Sequence, residues 1–120
     1  MIAPKLNLEP AATHLIADLA GVPSAHLRDP SLLGGLLIAA ASGAGLVSIG
    51  APVMRRLPDE AVAGVLMLDG CHIALHSLPE REILLVDVLT LGRHDTGKAL
   101  DVFVRRLRPR EVRSETHFRG

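Results

Sequence analysis

Apolar and polar residues exchange places with two different periods along this 120-residue chain. Thr13 to Leu19 alternates and stops at Ala20-Gly21 ahead of Pro23, the pattern of a strand running into a loop. Asp29-Pro30 then offers an N-cap and a preset first helical residue, and Leu33, Leu36, Leu37, Ala40 and Ala41 recur at helical spacing until Gly43 or Gly45. Leu46 to Gly50 predicts a second strand, while Pro52 to Asp59, with two Pro and two Arg, predicts an exposed connection. Ala61 to Leu68 predicts a third strand, joined through the Asp69-Gly70 turn to a fourth over His72 to Leu78. Pro79-Glu80-Arg81-Glu82 breaks that strand, and Ile83 to Leu89 supplies another of strand length. Asp95-Thr96 caps a second helix whose stripe is Ala99, Leu100, Phe103 and Leu107, and Glu111 to Phe118 closes the sheet as a polar edge strand. Strands in excess of helices, joined partly by a hairpin, predict an α+β two-layer sandwich: a mostly antiparallel sheet with two helices on one face, in one domain over residues 1–120.

Composition narrows the function classes. Hydrophobic residues make up 48% of the chain, enough for a real core, but aromatics only 2%, so that core is aliphatic and base-stacking surface is nearly absent. Thirteen basic and thirteen acidic side chains cancel, leaving no field to draw the protein to nucleic acid or an anionic membrane. The apolar stretch from Leu32 to Ile49 is interrupted by Gly and Ser and lacks flanking charge belts, so no membrane span is expected. The arginines at 105, 106, 108, 110 and 113 read as a solvated helix end, with a phosphate-bearing partner as the weaker alternative. A single cysteine and an N-terminus without signal-peptide layout point to the cytoplasm.

That cysteine is placed unusually. In Asp69-Gly70-Cys71-His72-Ile73-Ala74-Leu75-His76 a thiol directly follows a sharp turn, with histidines one and five residues on. His72, Ala74 and His76 share one strand face, and strict alternation assigns Cys71 to the other, with Ile73 and Leu75. A bulge at the turn would bring it round to the histidines. A buried structural cysteine is the plain alternative, and a zinc site lacks a fourth ligand at suitable spacing.

The run Gly70-Cys71-His72, three residues, His76, then Ser77-Leu78-Pro79-Glu80 resembles the processing site of the small prokaryotic S-adenosylmethionine decarboxylases, whose pattern is Glu-Ser-His, three residues, His, then Thr-Trp-Pro-Glu. His14, Asp18, Ala40-Ala41 to Gly45, Gly64 and Val86-Asp87-Val88 occupy family-like places, extending the resemblance over about residues 13 to 118. The resemblance implies a proenzyme that cuts itself, here between Gly70 and Cys71. The new terminus becomes a pyruvoyl group that captures the substrate amine and serves as electron sink for decarboxylation in polyamine (spermidine) synthesis. It implies Cys71 as pyruvoyl precursor, His76 as processing histidine, Glu80 as the residue binding ribose hydroxyls, a small-molecule substrate such as S-adenosylmethionine or a related amino acid, and a homodimer. The chain departs from the pattern at Ala63, where an assisting serine is expected, and at Leu91, where the proton-donating cysteine is expected. Gly70 replaces a glutamate, and no aromatic residue from Met1 to Val102 is available to stack on adenine near Leu57. An unprocessed, non-catalytic homologue acting as ligand-binding or regulatory partner is the alternative.

Overall fold

The computed structural model describes residues 9–120. Six strands form one sheet: β1 (Ala12–Ala20), β2 (Val53–Arg56), β3 (Val62–Met67), β4 (His72–Leu78), β5 (Ile83–Leu91) and β6 (Glu111–Arg119). Their order is β2-β3-β4-β5-β1-β6, and every neighbouring pair is antiparallel. Helices α1 (Ser24–Leu27), α2 (Pro30–Gly43) and α3 (Gly97–Leu107) complete the fold. The α+β reading from the sequence holds, with the single turn of α1 added to the two expected helices.

Alternation along the strands sorts side chains into a covered and an open face. Leu15, Ala17 and Leu19 of β1, Ile73 and Leu75 of β4, and Leu84, Val86 and Val88 of β5 are buried with Leu33, Leu36 and Leu37 of α2 and Ala99, Leu100 and Phe103 of α3 in one aliphatic core. Helix α2 begins where the sequence predicts, because the Asp29 carboxylate accepts from the Leu32 N–H at 3.1 Å and Pro30 needs no partner for an amide hydrogen it lacks. Buried Ser77 ties layers together: its hydroxyl donates to the Leu27 carbonyl at 2.7 Å and accepts from the Val62 N–H at 2.8 Å.

Two expectations are corrected. Leu46 to Gly50 is not a strand: only Ser48 bridges to Leu68, and Gly45, at positive φ, turns the chain just before it. The strand lies instead in the stretch read as a connection, because Val53 and Arg55 pair with Val65 and Ala63 at the sheet edge, where polar side chains cost little. Glu111–Arg119 does form the opposite edge, exposed along its whole length.

Candidate active site

The Asp69-Gly70 turn connects β3 to β4 and is closed by the Leu68 N–H donating to the Cys71 carbonyl at 2.7 Å. Gly70 adopts φ +103°, a conformation that a side chain would resist. A Cβ there would also stand 2.9 Å from Leu91 Cδ1, so the turn is packed against the end of β5. Leu91, twenty residues on from Cys71, therefore comes up beside Gly70 and Cys71.

The alternation runs without a bulge from the turn into β4. Cys71 is only 8% exposed and lies on the covered side with Ile73 and Leu75, while His72, Ala74 and His76 point to the open face. His76 is exposed and stands between Ala63 of β3 and Leu85 of β5. Five residues at strand rise separate it from Cys71 by about 16 Å along the chain direction. Glu80 lies beyond the far end of β4 in the 3-10 turn Pro79–Arg81, exposed beside Asp59 and Arg81. Within one subunit, the sequence-derived set thus divides: Gly70 and Cys71 stand together, and His76 and Glu80 stand elsewhere.

What surrounds the thiol was not evident from the sequence. Cys71 opens on a cavity of about 70 Å³ whose lining includes Asp69, Thr90, Leu91 and His94. Burial pushes the Cys71 thiol above its ordinary pKa, lowering the thiolate fraction at neutral pH. His94 belongs to the loop after β5, and its only sequence signal is that it follows the family's Val86-Asp87-Val88 segment by a few residues.

A second polar constellation occupies the open face. Asp87 of β5 bonds His14 of β1 through Oδ1 and stands 3.7 Å from His72 Nε2 of β4 through Oδ2. Arg119 Nη1 donates to His14 Nδ1 at 3.5 Å, which assigns the His14 proton to Nε2, toward the carboxylate. Cross-strand pairing sets these groups in adjacent rows, with His117 of β6 opposite His14. Around them Ile16, Val53, Met67, Leu85 and Leu91 leave apolar surface exposed on the same face. Among the described residues no three of His, Cys, Asp and Glu converge as a metal site, and no helix is long and apolar enough to cross a membrane.

Comparison with known proteins identifies the family and the fold. The family model described as S-adenosylmethionine decarboxylase matches residues 13–120. The S-adenosylmethionine decarboxylase proenzyme of Aquifex aeolicus is 32% identical over 108 residues, covering 89% of this chain and 79% of that protein. The arginine decarboxylase proenzyme of Aeropyrum pernix is 32% identical over 101 residues, covering 82% of this chain and 76% of its own. The crystal structure of the Aquifex aeolicus adenosylmethionine decarboxylase superposes with a TM-score of 0.84 at 29% identity, covering 93% of this chain and 92% of that one. With nearly its whole length matched in sequence and in fold, the chain belongs to the S-adenosylmethionine decarboxylase family.

Proposed function

We propose that this protein is a proenzyme that cuts itself between Gly70 and Cys71 and then decarboxylates S-adenosylmethionine or a related amino acid in polyamine synthesis. The observation that carries the reading is the position of the only thiol, first after a tight turn, where the motif resemblance puts the cut. The residues suit formation of the group the family implies. Cys71 carries a leaving atom on its Cβ, Gly70 presents no side chain to hinder attack on its carbonyl, and a small cavity adjoins the sulfur. Once formed, a terminal pyruvoyl group supplies the electron sink that decarboxylation requires.

The balance of the cut follows from sulfur chemistry. The Cys71 sulfur adds to the Gly70 carbonyl carbon, the C–N bond breaks, and the Cys71 nitrogen takes a proton, leaving a thioester. Loss of the Cys71 α-proton then breaks the Cβ–S bond and releases Gly70 as a thiocarboxylate. Water replaces the nitrogen, which departs as ammonia, and the second chain begins as pyruvoyl at position 71. Intact-mass spectrometry reads the result: a first fragment ending at Gly70, heavier than its carboxylate by the exchange of oxygen for sulfur until hydrolysed, and a second fragment lacking a free amine. A single unaltered chain after long incubation contradicts the reading.

For the substrate, Leu57 in place of an aromatic residue favours a compact amino acid over the adenosyl compound, and the relative named arginine decarboxylase proenzyme supports that class. Parallel assays of carbon dioxide release from S-adenosylmethionine and from arginine separate the two. By the resemblance Glu80 is the substrate anchor and His76 the processing histidine, and His76 stands on the open face, where we place a second copy. That face suits a second copy, since it carries exposed Ile16, Met67 and Leu85 among charges of both signs, Asp18 and Glu115 with Arg55 and Arg113. A homodimer in the cytoplasm is the assembly we infer, and sedimentation across a concentration series tests it.

One observation favours the other reading, an unprocessed partner subunit. Ala63 stands directly opposite His76, so the serine hydroxyl the family uses for processing has no counterpart beside that histidine.

A further inference from the structure

If the sulfur is to attack, something must take its proton, and the covered side of the sheet excludes the expected histidine. His76 points to the open face, across the sheet from Cys71 and about 16 Å along the strand. His72 adjoins Cys71 in sequence but also faces outward, toward Asp87. His94 lines the cavity on which Cys71 opens.

The loop that carries His94 is firmly held. Thr13, fully buried in β1, donates its hydroxyl to the Gly92 carbonyl at 2.6 Å and accepts from the His94 N–H at 3.3 Å. Gly92 N–H in turn donates to the Ala11 carbonyl at 2.7 Å. The flanking Arg93 is drawn away, its guanidinium over Phe118 at 4.5 Å and near Glu9 at 3.4 Å. Within the cavity the Thr90 hydroxyl is already committed to the Thr13 carbonyl at 3.5 Å, and buried Cys71 makes no hydrogen bond through its sulfur among the described residues. The titratable groups lining this space with Cys71 are Asp69 and His94, and an imidazole is the better base of the two near neutral pH.

We propose that His94 is the base that removes the Cys71 thiol proton in self-processing, the role the family resemblance gives to His76. The inference rests on the processing reading. The S–H proton passes to the His94 imidazole, the sulfur pair forms the bond to the Gly70 carbonyl carbon, and the proton returns to the Cys71 nitrogen as the C–N bond breaks. His94 is exposed on its other side, so its replacement leaves the core intact.

The test uses the full chain and two readouts. Hydroxylamine captures a thioester as a Gly70 hydroxamate, and intact mass counts the product. In His94→Ala the capture rate at neutral pH should fall about 100-fold, with His94→Gln equally impaired. Undiminished capture in His94→Ala, or a loss confined to His76→Ala, overturns the proposal. If the wild-type chain yields no captured product, the processing reading fails, and the action of His94 on the thiol is read separately by alkylation of Cys71 with iodoacetamide across pH. Burial raises the Cys71 thiol in the wild-type chain, so alkylation should speed up with pH in both chains, and near neutrality the His94→Ala thiol should react more slowly than the wild type for want of the base. Identical profiles, absence of reaction in both included, overturn the proposal.

Discussion

The two faces of this sheet are made by the same strands and do different work. The covered face is almost wholly aliphatic, closed by α2 and α3, and it holds Cys71 near the edge of the core. The open face carries His14, His72, His76 and Asp87 among exposed Ile16, Met67 and Leu85. Neighbouring residues in β4 therefore experience opposite surroundings, and sequence proximity to a histidine does not give the thiol a base. The difference teaches that a motif written along a strand is split by its two-residue period unless a bulge or a partner subunit reunites it.

The comparison is broken most completely at the thiol. Cys71→Ala should abolish cleavage altogether while leaving thermal unfolding close to wild type, and Cys71→Ser should cut more slowly and leave a carboxylate rather than a thiocarboxylate at Gly70. Cleavage surviving in Cys71→Ala would move the chemistry away from the covered side. On that side the next largest effect belongs to the core: Phe103 is fully buried, and Phe103→Ala should lower the unfolding free energy by about 3–5 kcal/mol in denaturant titration. Ser77→Ala strips partners from the Val62 N–H and the Leu27 carbonyl, at a cost of about 1–3 kcal/mol by the same measurement. The open face should be nearly silent in this respect. Ile16→Glu should shift the unfolding of dilute protein by no more than about 0.5 kcal/mol, yet convert a sedimenting dimer to monomer, and a large loss of monomer stability would show that this face is not a docking surface.

How far the sequence reaches follows from the same contrast. Strands buried on one face announce themselves by alternation, so β1, β3, β4 and β5 were legible to within a residue or two, as was the Asp29 cap of α2. Edge pairing is decided by neighbours rather than by local pattern, which is why Val53–Arg56 read as a connection and Leu46 to Gly50 as a strand. The turn and the thiol were plain from Asp69-Gly70-Cys71, and alternation pointed to the covered side that the sulfur occupies. His94 was invisible, because its approach to Cys71 depends on β1 pairing with β5 and on Thr13 fastening the loop, a relation between residues some eighty positions apart.

Everything proposed about catalysis turns on one bond. Intact-mass spectrometry of the purified chain, sampled through prolonged incubation at neutral and mildly alkaline pH, should show its conversion into two fragments divided between Gly70 and Cys71, with the second beginning as pyruvoyl. A chain that keeps its full mass throughout, with Cys71 still titrating as a free thiol after unfolding, contradicts the account.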